Sequence, residues 1–136
     1  MGKLLVTNNP KVQEKLAKLI EVEYVDLELL DFFENVRNRI HQGAKLLTHP
    51  LSGSVKPGET PYKSVILEVE DSKVADFDSI NLIENAIATS KKLMAHRNRS
   101  PRILTAQQQD DFQVIDLTLI MSVLPSMGIH VSSMIL

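Results

Sequence analysis

The densest group of residues able to hold or transfer something is HPLSGSVKPGETPY at 49–62, with Thr48 before it and Lys63 after it. Its Ser52-Gly53-Ser54 stretch can turn successive N–H groups inward as an anion-binding nest, with serine hydroxyls and Lys56 alongside. His49 could act as a general base or donate to an anion. Tyr62 and Lys63 stand where the chain leaves this segment. A second set lies at Thr7-Asn8-Asn9-Pro10, where the free N–H groups of a helix start also suit an anion. The residues expected to bind a ligand are therefore Asn8, Asn9, Thr48, His49, Ser52, Gly53, Ser54, Lys56, Tyr62 and Lys63. A bland alternative stands beside this: Pro, Gly and Ser can simply make a compact surface loop, with His49 hydrogen-bonded to its own loop.

Other chemistries are excluded or unsupported. The 136 residues include no cysteine, so a thiolate nucleophile, a disulfide and a cysteine-ligated metal are impossible. The four histidines show no HExxH or HxH spacing, and no metal or cofactor is expected. Neither GxGxxG nor GxxxxGK[ST] occurs, which leaves dinucleotide-binding and P-loop folds without support. Glu59 is the one acid within 49–62, so a Ser-His-Asp arrangement has no sequence support. Fifteen basic against seventeen acidic residues give a net charge of −2, which argues against nucleic acid as a partner. The basic residues Lys91, Lys92, Arg97, Arg99 and Arg102 read as a solvated helix end. Asp110 and Asp111 read as first-turn helix acids. No apolar run approaches 18 residues, no signal-peptide pattern is present, and the expected location is the cytoplasm.

The elements that must position these groups follow from hydrophobic period. Lys3–Thr7 reads as a strand, and Asn9 with Pro10 as the cap and first residue of a helix striped by Val12, Leu16, Leu19 and Ile20. Residues 21–26 alternate as a second strand. Leu29, Phe33, Val36 and Ile40 stripe a second helix, with Asp26 as its cap and Gly43 as its stop. Residues 44–48 read as a third strand. After the loop comes a strand at 63–70 with Val65, Leu67 and Val69 on one face. A helix at about 78–96 follows, carrying Ile80, Ile83, Ile87 and Met94. Thr105 and Gln108 form a capping box before an apolar segment, 112–124, read as helix. Pro125 ends it, and 129–136 reads as a last strand. The expectation is one three-layer α/β domain over 1–136. It has a mostly parallel sheet of about five strands, in the order βαβαβ-loop-βααβ. In such a sheet Asn8 and His49 share the carboxyl edge, where ligands of open α/β sheets bind.

Two segments also carry a family resemblance. LLVTNNP at 4–10 and the unbroken KLLTHPLSGSVKPGETPYKS at 45–64 resemble the GrdX family, small proteins encoded beside the selenium-dependent glycine, sarcosine and betaine reductases of anaerobic bacteria. The likeness extends over most of the chain but is specific in those two segments. It implies a cytoplasmic accessory role in amino-acid reduction and no established catalytic residues. A chain without cysteine cannot be a thiol carrier in such a system. It could bind an anionic metabolite such as an acyl phosphate, or a reductase subunit. The alternative is an enzyme acting on a small phosphorylated or carboxylated metabolite, with His49 as acid/base.

If the 49–62 segment holds an anion, Lys56→Ala should weaken ligand binding in calorimetric titration. Folding stability should move by no more than about 0.5 kcal/mol, as is usual for a surface substitution. Unchanged affinity would leave the segment a plain connector.

Overall fold

The computed structural model describes residues 2–52, 59–70, 74–95 and 103–131. Strand β1 spans Gly2–Thr7 and is followed by helix α1 (Pro10–Leu16), strand β2 (Glu21–Tyr24), helix α2 (Leu29–His41) and a two-residue strand β3 (Lys45–Leu46). After the long connection come strand β4 (Ser64–Val69), helices α3 (Phe77–Ala95) and α4 (Ala106–Val123), and a 3-10 turn at Pro125–Met127.

The four strands form one mixed sheet in the order β2-β1-β4-β3. β1 and β2 are parallel, with Leu4 opposite Glu21 and Thr7 opposite Tyr24. β4 runs antiparallel to both β1 and β3, pairing Thr7 with Ser64 and Leu46 with Leu67. β1, β2 and β3 thus point the same way, and β4 is inserted against them. This corrects the expectation of a mostly parallel sheet of about five strands, and the reason is geometric. β3 leaves the sheet at its carboxyl edge, and the chain re-enters at Lys63 on that same edge. The next strand must therefore run back down. Of the last strand expected at 129–136, residues 129–131 carry no strand and 132–136 lie outside the described residues.

Strand alternation divides the core in two. Leu4, Val6, Val65 and Leu67 face α2 and α3, packing on Phe32, Phe33, Val36, Ile40, Ile83, Ala86 and Ile87. Leu5 and Ile66 face the other way, onto Val12 and Leu16 of α1 and Leu117, Ile120 and Leu124 after them. The sheet is covered on both sides, as the helix stripes require. Phe32 and Phe33 are fully buried and meet at 5.9 Å between centroids, tilted by 59°.

Local signals set most helix ends. Asn9 caps α1 through its side chain, and Pro10 opens the helix at no cost in hydrogen bonds. α1 is shorter than its stripe: Leu19 and Ile20 lie beyond its end, though Ile20 is still buried. The cap of α2 is Glu28, without a side-chain bond, rather than Asp26. Gly43 takes φ 113°, a conformation open to glycine that lets the chain turn directly into β3. Asp76 caps α3, its carboxylate accepting from Ser79 N at 3.1 Å and Ser79 Oγ at 2.7 Å. The Thr105 capping box is complete, and residues 106–123 form one continuous helix. Gly128, at φ 79°, turns the chain after the 3-10 segment.

One buried hydroxyl breaks the rule that interior polar groups are paired. Among the described residues, Ser90 Oγ on α3 is the buried side-chain polar atom without a hydrogen-bond partner. Ser90→Ala should therefore raise stability by about 0.5–1 kcal/mol in urea unfolding, adding helix propensity to the removed desolvation cost. Phe33→Ala should lose about 3–5 kcal/mol in the same assay, because it leaves a cavity in the α2–α3 half of the core.

Candidate functional site

The carboxyl edge of β1 is built around two adjacent asparagines whose side chains diverge to opposite faces of the sheet. Asn8 Nδ2 donates to Leu27 O at 2.9 Å and Pro61 O at 2.8 Å, and Asn8 Oδ1 accepts from Lys63 N at 2.7 Å. The same residue's backbone N–H donates to Lys63 O at 3.2 Å. One amide thereby joins the end of β1, the β2–α2 turn and the segment that enters β4.

Asn9 serves the other face. Its Oδ1 accepts from Lys11 N at 3.0 Å, and its Nδ2 donates to Gln113 O at 2.9 Å and to Asp116 Oδ2 at 3.0 Å. Asp116 Oδ2 also accepts from Ser64 Oγ at 2.7 Å, and Ser64 Oγ lies 2.7 Å from Thr7 Oγ1. Thr7 Oγ1 accepts from Asn9 N at 2.9 Å, which closes the circuit. All four of these residues are buried.

Charge within this circuit is held in check. Burial pushes the Asp116 carboxyl above the usual carboxylate range; the bonds from Asn9 and Ser64 and the nearby Lys63 charge pull the other way. Burial likewise lowers Lys63, opposed by Asp116. Lys63 Nζ donates to Ser52 O at 2.8 Å, so this cation also pins the start of the loop.

The expected site residues divide in position. Asn8, Asn9, Thr48, His49, Ser52, Tyr62 and Lys63 lie at or beside this edge; Gly53, Ser54 and Lys56 lie outside the described residues. Thr48 Oγ1 accepts from Ile66 N at 3.1 Å, ending the β3–β4 ladder. His49 is exposed, and its Nδ1 accepts from Leu51 N at 3.1 Å, so that nitrogen is spent within its own loop. The Tyr62 hydroxyl accepts from Gln113 Nε2 at 2.9 Å and ties the segment to α4. Of the basic stretch, Lys91 and Lys92 are exposed on α3; Arg97, Arg99 and Arg102 lie outside the described residues. Asp110 forms an exposed ion pair with Lys11 at 2.7 Å. Among the described residues no three acidic or histidine side chains gather as metal ligands, and no helix is long and apolar enough to cross a membrane.

Between these ties the edge stays open. A cleft of about 460 Å³ lies on the α2–α3 side, lined by Asn8, Asp26–Leu29 and Glu59–Tyr62, with Met94 and Leu104 at the outer wall. That volume falls in the range of small-molecule sites, and its place at the carboxyl ends of β1 and β2 is where open α/β sheets bind ligands. On the α4 side, the clefts beside Lys63 and Asp116 are only about 20 Å³ each, room for about one water.

The family model for GrdX-like proteins matches residues 4–125. The chain belongs to the GrdX-like family. The match runs from β1 through the start of the 3-10 turn, so it takes in both asparagines, the whole 49–63 segment and Asp116. No curated protein and no solved structure matches the chain.

Asp116, Gln113, Asp26 and Glu28 are the site residues that sequence reasoning passes over. Asp116 alone had a usable signal. A single carboxylate in the middle of the apolar run 112–124 faces either solvent or a set of buried donors. Its neighbours Leu117 and Ile120 make the second outcome the one to test.

Asp116→Ala in this GrdX-like protein should cost about 1–3 kcal/mol in urea unfolding, since Ser64 and Asn9 each lose a buried acceptor. Because the folded pKa of Asp116 is raised, its protonated form favours folding. Its contribution is therefore full below the unfolded value of 3.8 and is lost as pH rises through the folded value. Asp116→Asn keeps an acceptor for Ser64 and Asn9 and should abolish that loss. The stability of the wild type relative to Asp116→Asn should thus fall as pH rises from 4, as read from denaturation midpoints across the pH range.

Proposed function

We propose that the protein is a non-enzymatic accessory component of glycine, sarcosine or betaine reductase systems. In this reading it works by binding a small metabolite or a reductase subunit at the carboxyl edge, where the 49–62 segment returns to the sheet. Family membership supports the association with reductases. One observation supports binding rather than catalysis. Asn8, Asn9, Ser64 and Asp116 are engaged with backbone groups or with one another, while an open cleft of about 460 Å³ lies beside Asn8. Groups so engaged hold the shape of the edge. An anionic group on the ligand would be met beside Lys63, His49 and Ser52, with Lys56 and the Ser52-Gly53-Ser54 nest as further donors.

The enzyme reading, with His49 as acid/base on a phosphorylated or carboxylated metabolite, has less behind it. A catalytic base needs a neighbour to orient it and a substrate within reach. His49 is exposed and its Nδ1 is bonded to its own loop.

Thermal-shift and calorimetric titrations with separate reductase subunits, glycine, sarcosine, betaine and acetyl phosphate test this. At least one should stabilise the fold, because a partner bound to the native state alone raises the melting temperature. Tyr62→Ala should weaken that binding by at least about fivefold, as truncating an aromatic anchor commonly does. Binding by none of them would remove the proposal. Turnover of a metabolite by the wild type, lost in His49→Ala, would install the enzyme reading instead.

A further inference from the structure

We infer that the side-chain amine of Lys63 is a modification site that takes up carbon dioxide as a reversible carbamate. The site lies on the α4 side of the edge and does not rest on ligand binding at the large cleft.

The surroundings of Lys63 favour the free amine. Lys11 meets the carboxylate of Asp110, and Lys18, Lys91 and Lys92 stand exposed in water. Lys63 does neither. It is half-buried, its Nζ donates to Ser52 O at 2.8 Å, and it forms no ion pair among the described residues. An ammonium has three donors to satisfy, and the cost of removing it from water falls on the charged form. Burial accordingly lowers Lys63, and the charge of Asp116 only partly offsets it. An amine so placed is more often the free base, which is the nucleophilic form.

The space around the amine selects the electrophile. Lys63 lines three clefts, each of about 20 Å³ and each with room for about one water. A carbonyl compound with a chain of its own does not fit there, whereas carbon dioxide adds only two oxygens to its carbon. Those oxygens become a carboxylate, which needs donors, and Thr48, Ser52 and Thr60 offer hydroxyls in the same walls. Thr48 Oγ1 and Thr60 Oγ1 accept from Ile66 N and Tyr62 N, and among the described residues none of the three hydroxyls donates. Their protons are left for a guest. Asp116 stands in two of the same walls, and burial pushes its carboxyl toward the neutral form, which reduces its repulsion of a carbamate.

In the reaction the Nζ lone pair attacks the carbon of carbon dioxide. An N–C bond forms as one C–O π bond opens, the electron pair settles on oxygen, and nitrogen releases one proton to water. Nothing is oxidised or reduced, and no group departs. The carbamate nitrogen keeps an N–H, so the bond to Ser52 O survives. The charge at this position reverses, and an amine that attracts anions becomes a carboxylate that repels them. Dissolved carbon dioxide would thereby control which ligands this side of the edge accepts.

The test equilibrates the full chain with isotopically labelled bicarbonate near neutral pH, fixes carbamates as ethyl esters with triethyloxonium, and locates them by peptide mass spectrometry. Lys63 should carry at least about fivefold more label than Lys18, Lys91 or Lys92, which stay protonated at this pH. The preference should narrow as pH approaches about 10, where exposed lysines also lose their protons. Ser52→Ala combined with Thr60→Val should reduce labelling of Lys63 by at least about twofold, because the carbamate loses two donors. Lys63→Arg keeps a cation and a donor for Ser52 O, and it should lose one carbamate carbon resonance that the wild type shows. Labelling of Lys63 no greater than that of the exposed lysines would overturn the inference, and this comparison needs no variant to fold. Identical carbamate spectra from the wild type and a folded Lys63→Arg would overturn it too. Either result would leave the accessory role standing, since metabolite and subunit binding are measured separately.

Discussion

The structure depends on an exchange of backbone hydrogen bonds for side-chain ones at the end of β1. Where a strand stops, its N–H and C=O groups and those of its neighbours lose their ladder partners and must find others. Asn8 and Asn9 supply them, one on each face, because consecutive residues of an extended chain point to opposite sides. Asparagine suits the position, since a single amide offers two donors and an acceptor at fixed geometry and carries no charge to desolvate. Four segments meet at these two amides: the β2–α2 turn and residues 61–63 at Asn8, α1 and α4 at Asn9.

The Asn9 side carries the greater electrostatic risk. A buried carboxylate is costly unless donors surround it, and a half-satisfied network is worse than an apolar one. Asp116 keeps its place because Ser64 and Asn9 both donate to one of its oxygens and Lys63 contributes charge. The result fixes α4 in register on the sheet. Apolar packing alone would do this poorly, since α4 is apolar on its outer side as well: Val114, Ile115 and Leu119 remain well exposed. A helix with two apolar faces can roll, and a carboxylate that fits one position prevents it.

What the sequence makes legible is what is decided locally. The Asn9-Pro10 start, the stripe of Leu29, Phe33, Val36 and Ile40, the turn at Gly43 and the Thr105–Gln108 capping box each involve residues within a few positions of one another. The same is true of the alternation that turns Val65 and Leu67 one way and Ile66 the other. The direction of β4 is not legible in this way. It depends on which edge the chain occupies after the 49–62 segment, and periodicity carries no such information. The tie from Asn9 to Asp116 spans 107 positions and the tie from Thr7 to Ser64 spans 57. Types and spacing point to Asn8, Asn9, Tyr62 and Lys63 as residues that matter. The bonds they make belong to three-dimensional neighbours that no short window contains. The lining of the large cleft is hidden for the same reason, because Asp26 and Glu28 look like ordinary helix-start acids until Glu59–Tyr62 is folded beside them.

The insertion of β4 between β1 and β3 also has a consequence in time. β1 is the central strand of the sheet's first half, yet one of its two partners is encoded some sixty residues later. Closing a loop of that size is paid for in chain entropy before its contacts return anything, and topologies rich in such long-range pairings fold slowly. A ribosome releasing this chain exposes Leu4, Leu5 and Val6 well before Val65, Ile66 and Leu67 arrive to cover them. β1–α1–β2 can meanwhile form a parallel pair, but its inner edge stays unpaired. The nascent protein therefore carries an apolar strand with an open edge until β4 at Ser64–Val69 has been made, a window in which β-strand association with other chains competes with folding.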